Sequence, residues 1–204
     1  MISDTTPTLT YFNARARGEL TRLLLNYLDV EFNDVRVAYP LDKDLKASLP
    51  FGQLPMFKDN DVTLVQSTAI ESYIANKYNI AGTNDVERAQ IHQYVLATMD
   101  VYNPFFLVWR DEALVLKYTL DKAPLFLPQF ESIVNQCKGE YLVGDTLSWA
   151  DLAWFNMVDY FTHYNHLKDV IKNYPALIAF HKRIGDRLPE RTKQYLKSRE
   201  STPV

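Results

Sequence analysis

An α/β unit followed by an all-α unit is the fold class that this 204-residue sequence predicts. Three observations carry the prediction. Short alternating apolar segments occur only ahead of Ser67, where they interleave with helical segments in the order β-α-β-α-β-β-α. The polar, glycine-containing stretch IAGTND then interrupts the pattern. Everything beyond it repeats at helical spacing, with no convincing strand. The domains are therefore expected at residues 1–81 and 85–204.

Each element follows from local chemistry. Leu9 and Tyr11 alternate with Thr8 and Thr10 as a first strand, which breaks at Asn13. Leu20, Leu23, Leu24, Tyr27 and Leu28 recur at helical spacing, so residues 18–29 should lay one face on a sheet. FNDVRVA is a second strand. Between Pro40 and Pro50, the DKDLK segment has room for little more than a helical turn on a polar surface loop. LPMFK and VTLVQ flank DND, a sequence suited to a tight hairpin. Ser67 can cap the next helix, with Glu71 in its first turns and Ala69, Ile70, Tyr73 and Ile74 as its buried stripe. The second part should hold helices near 85–117, 123–138, 149–165, 174–186 and 189–197.

Composition excludes several classes of function. A hydrophobic content of 47% with 23% charged residues fits a globular chain. The 25 acidic and 22 basic residues leave a formal charge of −3, which offers no whole-chain attraction to nucleic acid or an anionic membrane. Cys137 is the only cysteine, so neither an internal disulfide nor a zinc site of several thiolates can form. Among His92, His163, His166 and His181 only one pair is close in sequence, with no third ligand beside it, and no metal is expected. The opening MISDTTPTLT lacks a basic and an apolar region, and no apolar run approaches a membrane span of ~18 residues, so a cytoplasmic protein is expected. There is no phosphate-binding glycine loop and no nucleophile elbow.

The motifs then narrow the reading. TYFNARARGELTRLLL resembles the opening of sigma-class glutathione transferases, with a strand ending on Tyr-Phe-Asn and an Arg-x-Arg-x-Glu helix start. SLPFGQLPMF resembles the family's cis-proline segment, VTLVQSTAIESYIA its Gln-Ser helix start, and GDTLSWADLAWF its capping motif in the helical domain. YPALIAFHKRIGDRLPERTKQYLKSR resembles its final helices, so the likeness spans nearly the whole chain. It implies an N-terminal thioredoxin-like βαβαββα domain with a C-terminal helical bundle domain, no permanently bound cofactor, glutathione as co-substrate and a homodimer.

The chemistry expected of such a protein is activation of a thiol. A free thiol has a pKa near ~8.5, so only a small fraction is the nucleophilic thiolate at neutral pH. Lowering that pKa by about two units requires roughly 2.7 kcal/mol of preferential thiolate stabilisation, within reach of a good hydrogen bond and a helix N-terminus. The resemblance assigns the donor to Tyr11, whose hydroxyl stands at the carboxyl end of the first strand, where open α/β sheets place ligands. Taken by itself, Tyr11 is one of thirteen tyrosines and ends a strand by packing. Arg17 corresponds to a cation near the sulfur, or else is a solvated arginine at a helix start, and Arg15 reads as a surface charge.

The same resemblance distributes the peptide contacts. Pro55 would be cis, letting Leu54 pair its N–H and C=O with the cysteinyl backbone of glutathione. Gln66 and Ser67 would hold the γ-glutamyl carboxylate at a helix N-terminus, a role compatible with Ser67 as a plain cap. Lys46 and Gln53 would meet the glycyl end, where Asp42 replaces a common tryptophan, although Lys46 could equally be a solvated loop charge. Asp100 would reach across a twofold interface to the γ-glutamyl amino group, or be a solvated helical residue.

An apolar electrophile pocket is expected from Phe12, Ala14 and Ala16 on one side and Asn103, Phe106 or Val108 on the other, with Ala153 and Met157. The predicted function is conjugation of the glutathione thiolate to electrophilic small molecules. Two alternatives stay open: a glutathione-dependent prostaglandin D isomerase, and a non-catalytic ligand-binding protein of the S-crystallin kind.

Overall fold

The computed structural model describes residues 5–108, 111–137, 139–163 and 165–199, with side chains described except at 102–108, 112, 115, 116, 118, 119, 163, 165 and 166. The chain begins with β1 (Thr8–Phe12), a 3-10 turn (Ala16–Gly18), α1 (Glu19–Tyr27), β2 (Asn33–Val37) and α2 (Lys43–Ser48). It continues through β3 (Met56–Asp59), β4 (Val62–Val65) and α3 (Ser67–Lys77). The remaining elements are α4 (Asp85–Val108), α5 (Glu112–Gln136), α6 (Trp149–His163), α7 (Asn165–Ile171), α8 (Pro175–Arg187) and α9 (Glu190–Ser198). The thioredoxin-like domain and the helical domain predicted from sequence are both present. The compact units divide at Tyr78, and the segment from Pro189 belongs with the first of them. The sequence division had instead kept 85–204 together.

In the first unit the strands run in the order β2-β1-β3-β4, with β1 parallel to β2 and both remaining pairs antiparallel. A parallel pair needs a crossover, and α1 supplies it. Asn60 adopts a positive φ of 52° in the two-residue turn between Asp59 and Val62, matching the predicted hairpin. Leu9, Leu23, Leu24, Phe57, Ile70 and Ile74 form the buried core. Every residue from Glu19 to Asn26 is buried, so α1 is enclosed on all sides rather than on the one face expected. In α3 the buried positions are Ser67, Ile70, Glu71, Ile74 and Ala75, while Ala69, expected in the stripe, is exposed. The C-terminal α9 returns to α1: Arg191 donates to the Asp29 carboxylate at 3.0 Å and to the carbonyl of Val30 at 3.1 Å.

In the second unit, Trp149, Trp154, Phe161 and Phe180 are buried. The Trp154 indole N–H donates to the carbonyl of Tyr94 at 2.9 Å, and its ring lies 4.4 Å from that of Phe130. The predicted cap of α6 is present in extended form. Asp151 accepts from the backbone N–H and hydroxyl of Ser148 and from the backbone N–H of Leu142, each at 2.8 Å. Glu131 of α5 caps α8 from outside, accepting the N–H groups of Ala176 and Leu177 at 2.8 Å.

The first long helices divide differently from the expected 85–117 and 123–138. α5 starts at Glu112, where Asp111 accepts the N–H of Leu114 at 3.0 Å, and it continues through Pro124 and Pro128. Both prolines lie on the exposed face, where water can satisfy the carbonyls they leave unpaired. Among the described residues, no helix is long and apolar enough to cross a membrane.

Candidate active site

The sheet register gathers four of the expected thiol-activating and peptide-binding residues at one end of the first unit. Thr10 pairs with Met56, and Met56 with Val65. Because β1 and β3 are antiparallel, as are β3 and β4, the next row past that edge is Tyr11, Pro55 and Gln66, followed by Ser67 at the first position of α3. Three residues separated by up to 55 positions in sequence are thus brought together by pairing alone.

Tyr11 is 6% exposed. Its hydroxyl accepts the backbone N–H of Arg17 at 3.3 Å, an arrangement that leaves the hydroxyl proton to be donated elsewhere. Burial pushes the phenol pKa up, opposed by that hydrogen bond and by the charges of Arg17 and Arg22, so the group is a protonated donor at neutral pH. Sequence reasoning had given Arg17 a side-chain role; its backbone N–H makes the contact with Tyr11, and its charge acts on the phenol.

The turn that delivers this N–H is tight. Ala14 N–H donates to Phe12 O at 2.7 Å, and Ala16 has a positive φ of 29°. Gly18 follows, and a Cβ there would lie 2.6 Å from Cδ1 of Tyr11, so only glycine lets the tyrosine ring approach the helix start so closely.

Arg22, which sequence reasoning passed over, is fully buried. Its Nε donates to both carboxylate oxygens of Asp34 at 3.2 and 3.0 Å, Nη1 to the carbonyl of Ala14 at 2.7 Å and Nη2 to that of Phe12 at 3.4 Å. The guanidinium carbon is 5.7 Å from the centroid of the Tyr11 ring. Arg15, expected as a surface charge, is buried beside Glu19 at 3.8 Å. Glu19 is buried as well, 3.9 Å from Arg22, and accepts the Tyr195 hydroxyl at 2.8 Å and Arg199 Nη1 at 2.6 Å. One signal for these residues was available. Glu19, Arg22 and Asn26 share a helix face at i, i+3, i+7, which is unusual spacing for polar groups in so apolar a helix.

The Leu54–Pro55 bond is cis, as expected, and Pro55 is buried while Leu54 is half-buried. Tyr39–Pro40 is also cis, which sequence reading did not anticipate. Gln66 has φ 72° and ψ 110°, a conformation that non-glycine residues rarely hold and that concentrates at ligand sites. Ser67 is buried at the helix start.

On α2, Lys46 is exposed, with its side-chain carbons 3.5 Å from where a Cβ on Gly52 would stand; Gln53 is exposed nearby in sequence. Asp42 caps α2 by accepting the N–H groups of Asp44 and Leu45 at 2.9 and 3.0 Å. Its Oδ1 is thereby occupied by the backbone.

Phe12 at the end of β1, Ala14 on the loop and Ala16 at the start of the 3-10 turn are all half-buried. Asp100 is exposed on α4 in the second unit. Ala153 and Met157, expected to line the electrophile pocket, are 1% and 0% exposed, so in this conformation neither presents surface to a ligand. The side chains of Asn103, Phe106 and Val108 lie outside the described residues.

Glu71, expected in the first turns of this helix, is 1% exposed, and its Oε2 has no hydrogen-bond partner among the described residues. Burial alone pushes its carboxyl pKa from the usual 4.5 up to about 8.

Family comparison matches residues 7–76 to the glutathione S-transferase N-terminal domain and residues 99–199 to the glutathione S-transferase C-terminal domain. A putative glutathione S-transferase alpha-5 of Dictyostelium discoideum is 35% identical, covering 96% of this chain and 97% of the relative. The chain belongs to the glutathione S-transferase family. Human hematopoietic prostaglandin D synthase is a more distant relative, 28% identical over 86% of this chain and 88% of its own. Among solved structures, the Pi-class glutathione S-transferase of Onchocerca volvulus superposes with a TM-score of 0.83 at 30% identity, covering 95% of this chain and 93% of the other. Members of this family use glutathione as co-substrate. Relatives described as alpha and Pi class appear beside the prostaglandin synthase, so the comparisons fix the family and not the class.

Proposed function

We propose that this transferase conjugates the glutathione thiolate to electrophilic, mostly apolar small molecules, with Tyr11 as the hydrogen-bond donor to the sulfur. The observation that carries the reading is the row of Tyr11, Pro55 and Gln66 at one sheet end, beside the N-terminus of α3. A protonated phenol whose oxygen already accepts the Arg17 N–H has its proton directed to another acceptor. The thiol proton passes to solvent, the thiolate attacks the electrophilic carbon, and the leaving group departs with the bonding pair, or the carbanion is reprotonated when the substrate is an activated alkene.

On this reading, Gln66 and Ser67 receive the γ-glutamyl carboxylate, Leu54 and Pro55 the cysteinyl backbone, and Lys46 and Gln53 the glycyl end. Phe12, Ala14 and Ala16 contribute the apolar side of the electrophile site. Asp100 supplies the partner's site in a homodimer, and the protein is a cytoplasmic, sigma-like member of its family. Replacing Tyr11 with Phe tests the assignment: turnover should fall and the pH–rate profile move to higher pH, while glutathione affinity is retained. An unmoved profile rejects Tyr11 as the donor.

A second reading, glutathione-dependent isomerisation of a prostaglandin endoperoxide, is supported by the kinship to the human synthase. Product analysis with prostaglandin H2 decides it: accumulation of prostaglandin D2 supports isomerisation, and its absence beside active conjugation rejects it. No conjugation across a broad set of electrophiles at saturating glutathione would favour the non-catalytic S-crystallin-like reading.

A further inference from the structure

We propose that Arg22 is a positioning residue for Tyr11, held in place by Glu19 and, through Glu19, by the C-terminal helix α9. The proposal rests on the reading of Tyr11 as the thiolate donor. Arg22 has two simultaneous attachments to the catalytic turn. It fastens the carbonyls of Phe12 and Ala14 at 3.4 and 2.7 Å, the segment that must reverse direction for the Arg17 N–H to reach the Tyr11 hydroxyl. It also places a cation 5.7 Å from the centroid of the Tyr11 ring. A phenol beside a fixed positive charge is a stronger hydrogen-bond donor, and a fixed cation favours the thiolate that accepts from it.

The anchoring is charge-assisted throughout. Asp34 grips Nε with both oxygens and also accepts Arg36 at 2.6 Å. On the other side, the single carboxylate of Glu19 is shared by Arg15, Arg22 and Arg199 and accepts the Tyr195 hydroxyl. The cluster thus holds four guanidinium groups, of Arg15, Arg22, Arg36 and Arg199, against two carboxylates. Its surplus is positive, and Arg22 is the member that reaches the Tyr11 ring. A buried arginine serving packing alone would need neither the two loop carbonyls nor the tyrosine face. Lysine, as a point charge on a flexible stem, can supply the cation but not the fork.

The test compares wild type with Arg22→Met, Arg22→Lys and Arg199→Met, reading the pH–rate profile, kcat and KM for glutathione separately, and the thiolate absorbance of bound glutathione. Arg22→Met should raise the apparent pKa of the bound thiol by about one unit and lower kcat about tenfold, with KM for glutathione little changed. Arg22→Lys should restore the pKa but only part of kcat. Arg199→Met, remote from the ring, should move the pKa in the same direction by a smaller amount. A folded Arg22→Met enzyme with the wild-type profile overturns the proposal. If Arg22→Met does not fold, Arg22→Lys and Arg199→Met decide it: wild-type kcat and profile in both overturn it. Tyr11→Phe separates the two ideas. If that variant keeps the wild-type profile, the donor assignment fails first; if it shifts while the Arg22 and Arg199 variants do not, only the positioning role fails.

Discussion

Replacing Glu71 with Gln should have an effect on stability that grows more favourable as pH rises from 5 to 8, and becomes stabilising toward pH 8. The carboxyl is buried in α3 with only desolvation acting on it, which moves its pKa from the usual 4.5 to about 8. The sign follows from proton uptake. Below about pH 4.5 the group is protonated in both folded and unfolded chains and costs the fold nothing extra. Above that the unfolded chain releases its proton while the folded chain keeps it, so stability falls steadily until about pH 8 and then levels off. At about 1.36 kcal/mol per unit, the separation implies a penalty of roughly 0.8 kcal/mol at pH 5, about 3 kcal/mol at pH 7 and about 4 kcal/mol at pH 8. Glutamine has nearly the same shape and does not titrate. It must still bury an amide, which subtracts a constant of about 1–3 kcal/mol at every pH. Urea unfolding of both proteins between pH 5 and 8 would measure the difference. The refuting result is a difference that does not change with pH, since that would place Glu71 in the folded state as an ordinary carboxylate with a partner.

Further expectations concern the site and the helical unit. Gly18→Ala should destabilise by about 1–3 kcal/mol and lower turnover, because its methyl would stand 2.6 Å from the Tyr11 ring; thermal unfolding and steady-state kinetics check both. Asp151→Ala removes the acceptor for three donors in a buried corner and should lower stability by about 2–4 kcal/mol in urea titrations. Glu131→Ala uncaps α8 and should cost about 1–2 kcal/mol, with faster amide exchange at Ala176 and Leu177 as the local signature.

The parts that sequence made legible are those with local chemistry. Strand alternation located β1 to β4, and the hairpin followed from Asp59 and Asn60. The resemblance supplied Tyr11, Pro55, Gln66 and Ser67, and sheet register places them at one end. What stayed hidden depends on partners distant in sequence. Arg22 looks like a surface arginine until the carboxylate of Asp34 and the carbonyls of the loop are known to converge on it. A glutamate in the first turns of α3 carries no local sign of burial, which comes from tertiary packing. The break expected between 117 and 123 falls inside α5, which runs on through Pro124 and Pro128 because both lie on an exposed face where the lost donor costs little.

The return of α9 to α1 has a consequence for biosynthesis. The helical unit is an insertion within the first unit, whose closing contacts join Glu19 to Arg199 across 180 residues and Asp29 to Arg191 across 162. A ribosome therefore releases the sheet, α1 and the entire helical unit before the partners that α9 brings to Glu19 have emerged. Until then a carboxylate destined for burial lacks two of its four partners, Tyr195 and Arg199. The nascent first unit should stay open to chaperones and proteases while the helical unit is being made, and its consolidation should await residues 189–199.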